Sequence, residues 1–142
     1  MTSRECAVCG KRLSKPRSDA RKRYCHRCEL QVMRARAERA HDAYICRTYG
    51  TKPGFYRQLY DLQGGRCWIC QRATGARRRL AVDHDHSCCR SVPTCGRCNR
   101  GLLCKPCNRL LGHARDDPAM FRRAAAYLDS PPAGVLNAEQ KG

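Results

Sequence analysis

The pattern of apolar and polar positions along this chain predicts a long basic helix followed by a shorter amphipathic one. Residues 29–49 have a helical composition in which apolar side chains are spread among many arginines, and Gly50 ends the segment. Residues 53–63 start at a proline, carry tyrosines and leucines on one side, and stop before a pair of glycines. We therefore expect two consecutive helices in the first half of the chain.

The second half of the chain predicts one strand, an irregular loop and a short helix. Apolar and polar side chains alternate over residues 79–86, as they do in a strand with one buried face. Residues 87–101 are rich in cysteine, glycine and arginine and predict a loop. A short helix is expected to follow over residues 108–114.

The C-terminal segment carries marked helix boundaries. Asp117 is a favourable N-cap residue, and Pro118 suits the first turn of a helix. The predicted helix covers residues 119–128 and ends before Ser130 and two prolines. Residues 131–142 are expected to form a disordered tail.

Thirteen cysteines change this picture, because most of them occur in Cys-x-x-Cys pairs. Such a pair supplies two thiolates to one side of a tetrahedral Zn²⁺ ion. With only two Phe and one Trp for a conventional core, the fold is expected to depend on bound metal. The odd cysteine count and the repeated spacing favour zinc in a reducing compartment over disulfides. The pairs are Cys6/Cys9, Cys25/Cys28, Cys67/Cys70, Cys95/Cys98 and Cys104/Cys107.

The first two pairs predict a small zinc ribbon or treble-clef module. The pair Cys67/Cys70 has two candidate partners, because the stretches around Cys95/Cys98 and Cys104/Cys107 are similar in sequence. Spacing alone leaves both choices open. We call the ligands of the first module the N-terminal quartet: Cys6, Cys9, Cys25 and Cys28.

The charge of the chain indicates a polyanionic partner. Lys and Arg outnumber Asp and Glu by 29 to 12, and the excess lies before residue 116. A basic excess of this size is typical of proteins that contact nucleic-acid phosphates. No apolar run approaches the length of a membrane span, and the polar start of the chain lacks a signal-peptide core. We therefore expect a cytoplasmic protein without membrane contacts.

Three blocks of sequence resemble the recombination endonuclease VII family of phage HNH enzymes. The similar stretch runs from about residue 49 to residue 128, and the blocks occur in the family's order around one set of cysteines. That combination is more specific than any of the blocks alone. The blocks are Gln63-Gly64-Gly65-Arg66-Cys67-Trp68-Ile69-Cys70, Val82-Asp83-His84-Asp85-His86 and Arg100-Gly101-Leu102-Leu103-Cys104-Lys105-Pro106-Cys107-Asn108.

The resemblance implies a small, zinc-stapled α+β fold with a ββα-metal (His-Me finger) core and flanking helices. The implied organisation is a zinc ribbon at residues 1–30, a basic connecting helix at residues 31–49 and a nuclease domain at residues 50–130. In the family, Gly-Leu-Leu precedes the second cysteine pair, which selects Cys104/Cys107 as the partner. The resulting core quartet is Cys67, Cys70, Cys104 and Cys107.

For the reaction, the resemblance implies a metal-dependent DNA endonuclease. Asp83 and Asn108 would hold a catalytic Mg²⁺ or Mn²⁺ ion, and His84 would be the general base. Histidine has a suitable pKa for that role, and oxygen ligands suit a hard cation. In a regular strand Asp83 and His84 point to opposite faces, so both serve one site only if the strand ends, twists or bulges there. Asp85 and His86 are the substitutes on the same two faces.

The chain departs from the family pattern at two places. Family members often carry an acidic residue shortly after the Asn, whereas residues 109–111 here are Arg, Leu and Leu, so His113 is a candidate to approach the metal ion instead. The loop before Gly-Leu-Leu contains four further cysteines, which either bind a third zinc ion or form a reduced or partly oxidised loop. These residues are the loop quartet: Cys88, Cys89, Cys95 and Cys98.

The resemblance also implies partners. DNA is expected as substrate, either as branched junctions or as ordinary duplex. The chain is also expected to form a homodimer and to bind phage packaging or recombination proteins. If a phage encodes it, the protein is expected in the host cytoplasm. The main alternative is a zinc-containing module that binds nucleic acid without cleaving it. An oxidoreductase is disfavoured, because no thioredoxin-like βαβ pattern surrounds the cysteine pairs. His26 and His41 have no identifiable partner and are expected to face solvent.

Overall fold

The computed structural model describes residues 5–13, 23–134 and 136, and within them the chain is a small α+β protein. No helix in that part of the chain has both the length and the apolar composition that crossing a bilayer requires. Most of the expected C-terminal tail, residues 135 and 137–142, lies outside the described residues. The elements are helices α1 (His26–Tyr49), α2 (Phe55–Leu62), α3 (Lys105–His113) and α4 (Pro118–Asp129), and strands β1 (Ala81–His84) and β2 (Asn99–Leu103).

Helix α1 begins before its predicted start, inside the second cysteine pair of the N-terminal quartet. Cys25 is the N-cap with an extended backbone (φ −69°, ψ 159°), and its carbonyl oxygen accepts the Glu29 N–H at 2.8 Å. The turn between Cys25 and Cys28 is therefore also the first turn of the helix. The helical composition that starts at residue 29 does not reveal this earlier start. Gly50 ends α1 in the left-handed conformation (φ 58°), as predicted.

The C-terminal half of α1 is docked on the rest of the chain. Asp42 accepts a hydrogen bond from the Gly54 N–H at 2.9 Å, which fixes the start of α2. Glu38 pairs with Arg79 at 2.6 Å, and Ile45 is buried in the core. In the N-terminal half of α1 the one buried side chain is that of Cys28, a member of the N-terminal quartet. The first turns of α1 therefore contribute a ligand of the N-terminal quartet and no residue of the core cluster.

The prediction that His41 faces solvent is wrong. Its ring lies edge-on against Tyr56, with the ring centroids 4.6 Å apart, and the side chain is half-buried. This burial lowers the pKa of His41. The contact joins two helices and leaves no trace in the local sequence pattern, whereas His26 is exposed, as expected.

The core combines a few apolar side chains with two cysteines of the core quartet. Buried Gln63 closes the free edge of β2: its Nε2 donates to the Leu102 carbonyl at 2.9 Å, and its Oε1 accepts the Leu102 N–H at 2.7 Å. The side chain thereby replaces a missing neighbouring strand. The buried members of the core are Ile45, Tyr56, Cys67, Leu80, Val82, Leu102, Leu103 and Cys107.

Within the described residues the sheet is one antiparallel pair, with an irregularity between Asp83 and His84. Asp83 pairs with Gly101 and His84 with Asn99, so Arg100 is an extra residue in β2. This is a β-bulge whose extra residue lies in β2, opposite Asp83 and His84, and β1 itself ends at His84. The prediction of a loop through residue 101 is wrong at its end, because long-range pairing with β1 makes residues 99–101 a strand. Strand β1 is also shorter than the predicted 79–86.

The last two helices follow the core quartet. Helix α3 begins at Lys105 rather than at residue 108, because the turn between Cys104 and Cys107 is already helical. Cys104 is the N-cap, and a proline lies in the first turn. Helix α4 matches its prediction closely. Asp117 caps it by accepting the Ala119 N–H at 2.8 Å.

Candidate metal centres and catalytic site

Each of the three cysteine quartets brings its four sulfur atoms to within 4.8 Å of one another. The Sγ–Sγ distances are 3.8 Å for Cys9 and Cys25 in the N-terminal quartet and 3.8 Å for Cys70 and Cys104 in the core quartet. In a tetrahedral site with zinc–sulfur bonds of about 2.3 Å, neighbouring sulfur atoms lie about 3.8 Å apart. The residues therefore fit zinc at all three places.

The grouping of the cysteines resolves the ambiguity between the two similar pairs. Cys104/Cys107 joins Cys67/Cys70, and Cys95/Cys98 joins the two adjacent cysteines of the loop instead. All thirteen cysteines lie in described segments, and none of them forms a disulfide. Cys46 belongs to no quartet.

Within the quartets the pKa values of the thiols are shifted in both directions. Backbone N–H groups of Ala73 and Arg72 lower the pKa of Cys70 to about 6, and those of Arg97 and Cys98 lower the pKa of Cys95 to about 6. Hydrogen bonding from Cys95 and the other crowded sulfur atoms raises the pKa of Cys88 to about 12. Four sulfur atoms this close need a metal ion between them before all can be thiolates.

The two acidic-histidine pairs of the sequence lie at the end of β1. Asp83 is buried at 5% exposure, and His84 is half-buried beside it at the bulge. Asp85 is used for structure, since its Oδ1 accepts the N–H and the hydroxyl of Ser87 at 2.8 and 2.7 Å. His86 is more exposed, and its ring centroid lies 4.6 Å from that of His84.

Arg100 and Asp116 extend the site and were given no role by the sequence. Arg100 donates from Nε and Nη2 to the Asp83 carboxylate at 2.6 and 3.2 Å, and from Nη2 to Asp116 at 3.1 Å. Asp116 also contacts His86 Nδ1 at 3.0 Å. Burial raises the pKa of Asp116, but the hydrogen bonds with His86 and Arg100 outweigh it and lower that pKa overall. The hydrogen bonds to Asp83 raise the pKa of Arg100. The result is one connected polar network from Asp83 to His86.

The backbone at Asp116 is unusual. Arg115 and Asp116 both have positive φ, 52° and 56°. This backbone conformation is uncommon in residues other than glycine and is maintained by the surrounding structure. This turn after α3 aims the Asp116 carboxylate back at Arg100. Nothing in the sequence around Asp116 signals the contact, whereas Arg100 lies in a block shared with the family and could have been singled out there.

His84 is held by a backbone carbonyl. Its Nε2 lies 3.0 Å from the carbonyl oxygen of Cys89, a member of the loop quartet. The ring of Tyr49, the last residue of α1, lies edge-on with its centroid 6.3 Å away. The position of His84 thus depends on both the loop quartet and the end of α1.

Asn108 and His113 stand apart from these contacts. Asn108 is half-buried in the first half of α3, and no hydrogen bond of the described residues joins its side chain to Asp83. His113, the last residue of α3, is exposed. Among the described residues, the side-chain hydrogen bonds of Asp83 go to Arg100 and that of His84 goes to the Cys89 carbonyl, and neither residue is hydrogen-bonded to Asn108.

A cleft of about 400 Å³ opens beside Asp83. Trp68 and Phe121 form part of its apolar wall, and Asp83, Arg100 and Asp116 form its polar side. Trp68 is 63% exposed although it lies between Cys67 and Cys70 of the core quartet. An extended ligand with both apolar and charged groups can therefore reach the buried carboxylate.

Comparison with known proteins adds a family and two phage relatives. The profile of the recombination endonuclease VII family matches residues 42–130, which is more than half of the chain. The Gene 59 proteins of Mycobacterium phages L5 and D29 are each 47% identical to the chain over 100 residues, covering 70% of this chain. The match covers 56% of those relatives, so the chain spans just over half their length. No solved structure matches the chain.

Proposed function

We propose that this chain, which belongs to the recombination endonuclease VII family, is a metal-dependent HNH endonuclease that hydrolyses phosphodiester bonds in DNA. The observation that carries the proposal is the irregular end of the hairpin, where the Asp83 carboxylate is buried and the next residue, His84, has Nε2 within hydrogen-bond distance of a backbone carbonyl. The order β1, β2, α3 and the core quartet at the start of α3 support a ββα-metal core.

His84 is the general base in this proposal. A carbonyl oxygen only accepts hydrogen bonds, so Nε2 carries the hydrogen that is donated to Cys89. Nδ1 then keeps its lone pair and takes a proton from the water molecule that attacks phosphorus. The bond from phosphorus to one bridging oxygen breaks as the new bond to the water oxygen forms.

Asp83 and Asn108 are the proposed oxygen ligands of a divalent Mg²⁺ or Mn²⁺ ion. A carboxylate and an amide oxygen suit a hard cation, and the buried Asp83 carboxylate requires a positive partner, the role that Arg100 fills. When bound, the cation would stabilise negative charge on the phosphate and on the leaving oxygen. Because Arg100 also contacts Asp116, it keeps an anionic partner if Asp83 binds the cation.

The quartets have a structural role in the proposal, since four cysteines leave Zn²⁺ no open position for substrate. DNA is the proposed substrate because the formal charge is +17 and the family is one of recombination endonucleases. That family description favours branched DNA, cut in one or both strands.

The test compares His84→Ala with the matched variant His26→Ala. Supercoiled plasmid and a four-way junction are incubated with each protein in Mg²⁺, Mn²⁺ or EDTA, and the products are resolved by electrophoresis. The wild-type protein and His26→Ala should cleave with metal and not with EDTA, whereas His84→Ala should lose at least about 100-fold in rate because the general base is gone. Zinc content should be the same in all three proteins. Cleavage by His84→Ala at the wild-type rate would refute the assignment.

A second candidate function is a zinc module that binds DNA without cleaving it. One observation favours it: Arg100 contacts both carboxylate oxygens of Asp83, so the proposed metal ligand is already neutralised. Tight DNA binding without cleavage of either substrate in Mg²⁺ or Mn²⁺ would establish this function instead.

A further inference from the structure

The loop quartet lies directly on the segment that joins the two strands of the candidate site. The Sγ atoms of Cys88 and Cys95 are 3.7 Å apart, and all four sulfur atoms lie within 4.8 Å of one another. These are the spacings of a tetrahedral zinc site. The other two quartets staple elements that are far apart in sequence, whereas this one closes a short loop between β1 and β2.

Adjacent cysteines can reach one tetrahedron only if the backbone turns sharply, and Asp85 supplies that turn. The carbonyl oxygen of Asp85 accepts the N–H groups of Cys88 and Cys89 at 3.2 and 3.0 Å. Its own N–H donates to the carbonyl of Cys98 at 2.9 Å. The residue that follows His84 therefore holds both halves of the quartet.

The same loop is anchored to the end of α1. Thr94 donates its N–H to the Thr48 carbonyl at 3.0 Å, and Asn99 Nδ2 donates to the Tyr49 carbonyl at 2.9 Å. A Cβ atom on Gly50 would lie 2.6 Å from the Thr94 carbonyl oxygen, so the two backbones are in close contact. Thr94 and Asn99 thus anchor the second half of the loop to α1, whereas the hydrogen bonds to Asp85 hold the first half, which carries the carbonyl of Cys89.

That carbonyl is the acceptor for His84 Nε2, at 3.0 Å. We propose that the loop quartet binds zinc and that this site positions His84, fixing the tautomer with hydrogen on Nε2 and the lone pair on Nδ1. Cys89 is then a positioning residue that acts through its backbone while its thiolate binds the metal ion. That cleavage depends on this positioning is the one part of the inference that rests on the proposed function, whereas zinc binding and the tautomer do not.

The experiment uses three single variants in the full chain. Cys95→Ser removes an exposed ligand of the loop quartet, Cys9→Ser removes an exposed ligand of the N-terminal quartet, and Cys46→Ser changes a cysteine of no quartet. A fourth variant, Cys95→His, restores a zinc ligand at the exposed position. Zinc per chain is measured by mass spectrometry of the metal, and the histidine tautomers by long-range ¹H–¹⁵N NMR, with His84 signals identified in His84→Ala.

We expect three zinc ions per chain in the wild-type protein and Cys46→Ser, and two in Cys9→Ser and Cys95→Ser. The His84 signals should show a single Nε2–H tautomer in wild type and Cys9→Ser, and lose it in Cys95→Ser. Cys95→His should regain both the zinc ion and the tautomer. Cleavage by Cys95→Ser should fall about 10- to 100-fold, the usual effect of disturbing groups that orient a functional side chain.

Two results would overturn the inference: two zinc ions in the wild-type protein, or an unchanged His84 tautomer in a Cys95→Ser protein that has lost a zinc ion. Retention of the third zinc ion in Cys95→Ser would also count against the assigned ligands. Absence of cleavage in the wild-type protein, with the expected zinc counts and tautomers, would instead refute the proposed function and leave the metal site intact. The Cys9→Ser control separates loss of a zinc ion in general from loss of this one.

Discussion

The N-terminal quartet and the core quartet share their ligand type and spacing but differ in what surrounds them. Cys67 of the core quartet has no exposed surface and packs among Leu102, Val82 and other core side chains. The N-terminal quartet joins a short hairpin, closed by one bridge between Glu5 and Arg12, to the first turn of α1. None of its cysteines belongs to the core cluster of the described residues.

The difference shows that one metal chemistry can play two structural parts. In the core quartet the metal site and the apolar core are a single unit, so neither is expected to persist without the other. The N-terminal quartet lies outside the core cluster of the described residues and includes Cys28 in the first turn of α1, the helix that contributes Ile45 to that cluster. The predictions that follow test this contrast.

The largest effect is expected from a matched pair of buried ligands, Cys107→Ser and Cys28→Ser. Each cysteine is the third residue of its helix, and they are 7% and 4% exposed. The binding free energy of structural zinc is about 10–16 kcal/mol in zinc-finger peptides. It is as large as the net free energy of unfolding of a typical protein, which is about 5–15 kcal/mol. Cys107→Ser should therefore lose the cooperative unfolding transition of the core, whereas Cys28→Ser should keep it.

Fluorescence of Trp68, the only tryptophan of the chain, reports on the core during thermal unfolding, and zinc content is measured alongside. Equal loss of the transition in both variants would mean that the N-terminal module is part of the same folding unit.

The next effect is expected from Gly50→Ala compared with Gly10→Ala. Both glycines have positive φ, 58° and 68°, so an alanine costs about 1 kcal/mol at either position. At Gly50 the new Cβ would also lie 2.6 Å from the Thr94 carbonyl oxygen, whereas Gly10 has nothing within 4 Å. Gly50→Ala should lower the free energy of unfolding in urea by about 3 kcal/mol or more, and Gly10→Ala should leave the transition of the core unchanged. Similar losses would remove the distinction between the two regions.

A smaller effect concerns DNA binding by the N-terminal half of α1. Replacing the exposed Arg34 and Arg36 by Gln should reduce the slope of log K against log salt by about one unit for every DNA phosphate that is no longer neutralised. The control replaces the exposed Arg122 and Arg123 on α4 by Gln, which should leave the slope unchanged. Binding is measured by fluorescence anisotropy over a range of salt concentrations. An unchanged slope in the α1 variant would assign the N-terminal module a purely structural role.

The smallest effect is expected at the ion pair that docks α1 on the core. Arg79 and Glu38 are 40% and 66% exposed, so their coupling in a double-mutant cycle should be below about 1 kcal/mol. Arg79 lowers the pKa of Glu38, so the stabilisation is present above the pKa of an unfolded glutamate and is lost as pH falls through the lowered value. Urea unfolding of both single variants and the double variant at neutral and acidic pH measures this. Coupling that grows on acidification would contradict the sign.

Features set by nearby residues were predictable from the sequence. The cap at Asp117, the end of α1 at Gly50 and the approach of the two sulfur atoms within each Cys-x-x-Cys pair are all local, and the structure has each of them. The choice of Cys104/Cys107 for the core quartet needed the family resemblance, because two similar pairs fit the spacing equally well.

Features made by distant contacts were not predictable in the same way. Strand β2 exists because β1 pairs with it, and its first three residues, Asn, Arg and Gly, have low strand preference. The network through Arg100 and Asp116 depends on a strained turn that no short motif announces. The roles of Asp83, His84 and Asn108 remain predictions from the resemblance.

The side chain of Gln63 has a consequence for the whole molecule. A hairpin of two strands leaves backbone groups along its outer edges, and such edges can recruit strands from other chains and lead to aggregation. Gln63 and the Trp68 N–H occupy the outward N–H and C=O of Leu102, at the buried centre of β2. At this position β2 therefore has no free backbone group with which a third strand could pair, so a two-stranded sheet ends there without a further strand.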